Sequence, residues 1–493
     1  AIASPTERFN ALFEEDSSLR DEFEALRNDP ATARPVDVSA RYGWAKMAAG
    51  AVVSRKWEEV PRTLSDRIDA YLTHRVFGLI VFVAIMLLVF ESIYTFAQPL
   101  MNGLNAGFAA LSAWLDPHLA GYPVLQSLVE DGIIAGVGGV MVFLPQIVIL
   151  FFFISVLEGS GYLARAAFLM DRLLGWCGLN GRAFIPLLSS FACAIPGIMA
   201  ARVMPDARSR LATILVAPLM SCSARLPVYI LLIGAVIRPT FGPMWAGVTL
   251  FGMHLLGLLL AIPIAWLFNR KVVQGKRLPF LMELPPYQWP KWRDVGRAMW
   301  WRARTFTKTA GTTIFLMSLL IWAGASFPRL SAEEAAAIPA GERHEAMVAE
   351  RTLEQSALGR LGRSIAPVFE PAGFDWRITT SILSAFPARE TVVPSLGILF
   401  SLGKDQDAES GNLVEAIRTA RRADGRPLFN PWNAFGLMVF FALCAQCFST
   451  LATVARETGS RKWAWFMFAY MTTLAYIAAV GIYQLGRFLG GAP

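Results

Sequence analysis

Charge is scarce in this 493-residue chain. Asp, Glu, Lys and Arg make up 17% of it, against about a quarter in soluble domains. The stretch 76–164 holds no Lys or Arg at all. Four stretches, 133–157 within it and 244–268, 432–455 and 463–485 beyond it, hold no charge of either sign, and each reaches the roughly 20 residues that span a bilayer. These absences exclude a soluble fold for most of the chain and leave an all-α polytopic membrane protein. Histidine is also rare. His74, His118, His254 and His344 form no cluster, which excludes a zinc-type cage. No Ser-His-Asp set or paired-carboxylate site stands at membrane depth. No G-x-x-x-x-G-K-[ST] phosphate loop occurs, and no Asn-Lys-x-Asp-type guanine-reading stretch. No signal peptide opens the chain, and the first residue is not Met, so a piece of a longer protein is expected. Four of the five cysteines (Cys193, Cys222, Cys444 and Cys447, but not Cys177) lie in apolar segments, which argues against a disulfide framework. The net charge of +8 reads as cytoplasmic-loop bias, not as a nucleic-acid footprint.

What is present orders the chain across the membrane. Residues 1–60 alternate acids and bases at helical spacing and read as a cytoplasmic helical segment, the end of a soluble domain plus a linker. Arg55, Lys56, Arg62, Arg67 and Arg75 precede the first span, about 76–96, and place the N-terminal side in the cytoplasm. An external amphipathic helix completes a unit over 61–130. The second span, 133–157, returns to the basic stretch with Arg165, Arg172 and Arg182. Segment 183–201 is apolar but followed at once by Arg202, Arg208 and Arg210, so both its ends read as cytoplasmic. Its centre, "SSFACAIPG", allows a chain reversal, and irregular backbone at that depth is tolerated only where it is buried or lines a cavity. A re-entrant hairpin is expected. Span 211–237 goes out and 244–268 comes back to a loop, 269–308, with ten Lys and Arg. Span 310–327 precedes a long external loop. Segment 378–400 carries Pro387, Arg389, Glu390 and Pro394 in an apolar context. Spans 432–455 and 463–485 close the chain.

The two halves match in order: span, broken segment, span with central cysteine. They begin on opposite sides of the membrane, which is an inverted-topology repeat. The expected architecture is about seven full spans plus two re-entrant segments. The first gate repeat covers 131–240, a connecting helix and basic loop 241–308, the second gate repeat 309–458, and a last helix 459–493. In such folds the site lies where the broken segments meet.

Four motifs in those segments are specific: "VLEGSGYLARAAFLMDRLL", "FACAIPGIMAAR", "APLMSCSARLPVYILL" and "FDWRITTSILSAFPARETVV". Together they resemble the membrane part of the bacterial ferrous iron transporter B family, and "DVSARYGWAKM" and "LSDRIDAYLTHRVFGLIVF" resemble its entry into the membrane. The resemblance covers roughly 38–487. It implies Fe2+ import across the cytoplasmic membrane through two gate motifs, with functionally important cysteines at Cys193, Cys222 and Cys447. It also implies a GTPase domain, absent from this chain, that brings GTP and Mg2+. A small cytoplasmic accessory protein and a homo-oligomer are further expected partners. Three positions depart from the family pattern: Gln446 where Pro often precedes the late cysteine, Gly159 after the glutamate, and Arg389 in place of lysine.

Ferrous iron accepts thiolate, imidazole, carboxylate and carbonyl, and a transport site must hold it weakly enough to let go. Cys222 lies between Ser221 and Ser223, five residues before Pro227, and Pro frees a carbonyl upstream. Cys193 lies three before Pro196. Packing as small hydrophobes is the alternative for these thiols, and for Cys444 it is the leading one. Arg225 repels a cation, so pairing with a carboxylate or capping carbonyls is its expected role. Glu390 and Glu158 are the candidate carboxylates for Arg225 or for the metal. Glu390 beside Arg389 also reads as a local charge pair, and Glu158 as an interfacial acid. Two other functions remain open on these residues: a nucleoside or other small solute carried by the same gate fold, and a non-transporting sensor or scaffold.

Overall fold

The computed structural model describes residues 63–74, 76–119, 121–176, 178–204, 206–272, 284–331, 333–334, 337–338, 344–386, 389–400, 402, 411–422, 425–445 and 447–490, preceded by residue 21, 42–45 and 47–48. The helical pattern expected over 1–60 and the loop cysteine Cys177 fall largely or wholly outside them. Contacts divide the chain at 64 into two units, and the larger, 65–493, carries the membrane helices. Among the described residues the structure is helical, with a single isolated bridge between Arg421 and Pro427. That is what a bilayer demands, since a helix satisfies its own backbone polar groups.

Helix α1 (Leu64–Leu72) leads to α2 (Phe77–Leu119), which differs from the expected pair of helices. It is one continuous helix of 43 residues that runs through Pro99. The segment expected as an external surface helix is its second half. Helix α3 (Ala135–Gly159) is entered through a π-helical turn, Leu128–Ile134, and packs along α2. Small residues let these rods approach: Gly138 lies against Phe108, and Gly136 against Phe315 and Ser318. Helix α4 (Tyr162–Trp176) then leads into the first gate.

The first broken segment is a hairpin. Helix α5 (Phe184–Ala192) ends where Cys193 takes extended backbone, φ −154° and ψ 131°, and α6 (Ala194–Ala200) begins there. The two pack face to face, and a Cβ at Gly197 would come within 2.6 Å of the Pro186 carbonyl. Helix α7 (Ala207–Val216) begins at Asp206, whose carboxylate accepts from the Arg208 and Ser209 amides. The expected crossing 211–237 is not one helix. It stops at a 3-10 turn, Ala217–Leu219, breaks over 220–222, and resumes through the turn Ser223–Arg225 into α8 (Leu226–Leu232). Pro218 and Pro227 stand on either side of the break, each missing an amide donor.

Helix α9 (Pro243–Leu267) supports the break from behind. A Cβ at Gly257 would lie 2.5 Å from the Leu219 carbonyl and 3.3 Å from the Ser221 amide, so only glycine admits that backbone. Ser221 donates to the His254 carbonyl at 3.2 Å. Helices α10 (Trp292–Phe306) and α11 (Thr312–Ser326) are joined by a π-helical turn, Thr307–Gly311, and run along α3. Much of the loop expected over 328–374 is helical, at His344–Gln355 and Ala357–Phe369.

The second gate repeats the design. Helix α12 (Trp376–Ser384) breaks, turns at Arg389–Thr391 and returns as α13 (Val392–Leu399), with Ser384 donating to Ser395 at 2.7 Å across the hairpin. Helix α14 (Pro431–Leu443) breaks over 444–447 and resumes as α15 (Phe448–Thr458). Helix α16 (Arg461–Phe488) packs along α14. Among the described residues, six helical stretches are long and apolar enough to cross a membrane: 77–119, 123–159, 243–272, 292–326, 431–458 and 461–488.

One polar clasp sits near the end of α3. Arg165, 1% exposed, meets both oxygens of Asp69 at 3.0 Å and donates to the carbonyls of Gly161 and Pro285. Tyr287 donates to Asp69 at 2.6 Å and lies under the guanidinium, 4.2 Å from ring centre to carbon. The clasp binds α1, the start of α4 and the 285–287 backbone into one knot.

Candidate metal pathway

The two repeats meet break against break. Helix α6 of the first packs on α15 of the second, and the turn Ser223–Arg225 packs on the turn Arg389–Thr391. This pairing relates hairpin to broken span twice over, once from each half. The Phe448 amide donates to the Phe386 carbonyl at 3.2 Å, which seats the second hairpin beside Cys447.

A cavity of about 130 Å3 lies at this crossing, and Cys193, Cys222 and Cys447 all line it. Each thiol stands where regular helix fails. Cys193 precedes α6 and Cys447 precedes α15, both in extended backbone, and Cys222 lies in the break before α8. None of the three is in a disulfide. Met220 also lines the cavity, so its proximity to Cys222 in sequence is matched by a shared surface. Among the described residues no three His, Cys, Asp or Glu side chains converge as a cage. The thiols line one space without meeting at one point.

Both arginines of the motifs reach the same cavity. Arg225 is 1% exposed and donates from Nη2 to the Pro218 carbonyl at 2.9 Å and from Nη1 to the Leu219 carbonyl at 3.4 Å. It caps its own broken strand of chain. Arg389, 6% exposed, reaches the other segment of its repeat, donating to the carbonyls of Phe441 at 2.8 Å and Cys444 at 2.7 Å. Those are carbonyls that the end of α14 leaves without intrahelical donors.

The remaining candidates lie elsewhere. Cys444 is buried outside the cavity lining, and its carbonyl, not its thiol, serves Arg389. Glu158 is exposed at the end of α3 and pairs with Arg302 at 3.5 Å, outside the cavity lining. The Glu390 side chain and Gln446 fall outside the described residues. Pro196, Ser221 and Pro227 shape the backbone without lining the space. Two polar lining residues escaped sequence reasoning, Gln146 and Thr450. Gln146 had a signal: it is an amide beside Pro145 in the middle of a charge-free span.

At the far ends of the crossed helices, Arg202 after α6 and Glu457 in the last turn of α15 form a two-pronged ion pair at 2.6 and 2.7 Å. The Glu457 hydrogen bond holds the Arg202 guanidinium above its usual value, against the burial that lowers it.

Comparison with known proteins places this geometry. A family model described as Gate, nucleoside recognition, matches 140–236 and 307–461, and one described as the C terminus of ferrous iron transport protein B matches 250–302. The Fe(2+) transporter FeoB of Leptospira biflexa is 40% identical over 89% of this chain and 61% of its own length. That of Campylobacter jejuni is 38% identical over 87% of this chain and 66% of its own. A Porphyromonas gingivalis protein named as an Fe(2+) transport protein A/Fe(2+) transporter FeoB fusion is 39% identical over 92% of this chain and 55% of its own. The chain thus spans less than two thirds of the length of these relatives. No solved structure matches it.

Proposed function

Because the chain belongs to the ferrous iron transporter B family and carries its membrane part, we propose that it forms the route by which Fe2+ crosses the bacterial inner membrane toward the cytoplasm. The observation that carries this reading is the cavity lined, at helix breaks, by thiols from both repeats. Thiols suit a borderline divalent ion, and few ligands on separate broken helices suit an ion that must leave again. Cys193, Cys222 and Cys447 are the metal-contacting residues in this reading. Glu390, beside Arg389 in sequence, and Glu158, near the end of α3, are the carboxylates of this reading.

The nucleoside alternative is less well supported. Among the described residues, Gln146 is the one side-chain amide lining the cavity, and no carboxylate lines it. A nucleoside site needs several such groups for base and sugar contacts.

In the whole protein a GTPase domain, binding GTP and Mg2+, gates the path from the cytoplasm, where the N-terminal side of this chain also lies. The fused relative, whose name joins transport protein A to the transporter, supports a small accessory partner. Assembly of several copies in the bilayer completes the reading.

The test is Fe2+ uptake into proteoliposomes by this chain, comparing Cys193→Ser and Cys222→Ser with the native sequence. Loss of uptake in either variant is expected. Unchanged uptake in both removes the thiols from the pathway.

A further inference from the structure

The cavity holds a contradiction. It is lined by three thiols suited to a cation and by two guanidinium groups that repel one. Among the described residues no carboxylate lines it to neutralise them. Burying two arginines in a membrane protein is costly, and Asn or Gln could have capped the same carbonyls without charge.

The arginines are also fixed. Arg225 is tied to two carbonyls of the first repeat, and Arg389 to two of the second. The turns that carry them, Ser223–Arg225 and Arg389–Thr391, pack on one another at the centre of the crossing. Both side chains are almost closed off from solvent, at 1% and 6% exposed. Carbonyl partners satisfy hydrogen bonds but leave the net charge in place. The Nε of Arg225 is buried with no acceptor at all, so one donor of that cation is left unanswered.

Resting on the iron-pathway reading above, we infer that Arg225 and Arg389 are release residues. Their fixed positive charges oppose a divalent cation held by the thiols and keep its residence short. A cysteine-lined pocket without them would be a trap. The first repeat brings two thiol-bearing breaks and one opposing charge, the second one of each, so a charge stands beside the thiols of both halves. Arginine serves better than lysine for the capping because its planar fork reaches two carbonyls at once, but the release effect needs only the charge. That difference makes the two roles separable.

The experiment titrates the purified full chain in detergent with Co2+, read by the thiolate-to-metal charge-transfer absorption. Arg225→Gln and Arg389→Gln keep a donor for one carbonyl and remove the charge. Arg225→Lys and Arg389→Lys keep the charge and lose the fork. Repulsion between like charges at cavity distances is worth about tenfold or more in affinity even at a moderate effective dielectric. The Gln variants are therefore expected to bind Co2+ at least ~10-fold more tightly than the native chain, with slower release on chelator challenge. The Lys variants should stay near native. If Gln and Lys variants both bind at or below native affinity, the arginines only shape the backbone and the inference fails. If the native chain gives no thiolate signal, or Cys222→Ser and Cys193→Ser leave it unchanged, the iron-pathway reading itself fails, and this inference with it.

Discussion

Replacing Asp69 by Asn probes the clasp at its carboxylate. Arg165 has 1% of its side chain exposed and Asp69 19%. Removing one partner of a buried pair strands the other charge, at a cost of about 3–5 kcal/mol. Arg165 keeps the Gly161 carbonyl at 3.0 Å, the Pro285 carbonyl and the Tyr287 ring, and Asp69 is partly wet. The lower end of that range, about 3 kcal/mol, is the expectation. The pH dependence gives a second arm. Burial pushes the Asp69 carboxyl up, but hydrogen bonds from Arg165 and Tyr287 outweigh it and hold the group below its ordinary 3.8. A lowered folded value means that the stabilisation is fully present above the unfolded value and is lost as pH falls through the folded one. Equilibrium unfolding in mixed detergent micelles near neutral pH, repeated down to about pH 3, reads both arms. The Asp69→Asn variant should lose the neutral-pH increment and flatten the acid limb. A loss under about 1 kcal/mol, or an unchanged acid limb, would refute the argument that Asp69 is what neutralises Arg165.

Other expectations concern the gates. Gly197→Ala should cost about 1–3 kcal/mol and speed alkylation of Cys193, because the Pro186 carbonyl 2.6 Å from the new Cβ can retreat only if the α5–α6 hairpin opens. Unaltered melting and alkylation would count against the tight reversal. Gly257→Ala should cut uptake by displacing the Leu219–Ser221 backbone, with an intact rate showing that α9 does not hold the break. A double-mutant cycle on Arg202 and Glu457 should give a coupling of about 1 kcal/mol that shrinks with added salt, since Arg202 is 54% exposed. A salt-independent coupling would show the pair to be shielded from solvent.

Much of the fold could be read from charge and length. The apolar stretches 244–268 and 463–485 became α9 and α16 because nothing else satisfies backbone polar groups in hydrocarbon. The hairpin at Cys193 was readable for a different reason: basic residues on both flanks and Pro and Gly in the centre contradicted a simple crossing. Where reading failed, the deciding contacts were distant. By pattern the first span ends near 96, yet packing against α3 carries α2 on to Leu119. The Arg389 partners lie 52 and 55 residues away, and no local pattern announces them. At the site, the three cysteines were legible through their motifs. The motifs already set Cys447 apart from Cys444, and in the break it is Cys447 that lines the cavity while Cys444 does not. For Glu158, position alone allowed an entry ligand or an interfacial acid, and its partner Arg302 lies in the far half of the chain, where no local pattern announces it.

The crossed helices α6 and α15 also have a mechanical consequence. Each carries a cavity thiol at its head, and their tails are tied together by Arg202 and Glu457. They are built like tongs with a catch at the handles. Glu457 stands ten residues beyond Cys447, about 15 Å along the axis, so a splay of about 10° moves one end relative to the other by roughly 2.6 Å. That is close to the diameter of a water molecule. The ion pair therefore fixes the spacing of the two tails and, over a lever arm this short, bears directly on the spacing of the two thiol-bearing heads.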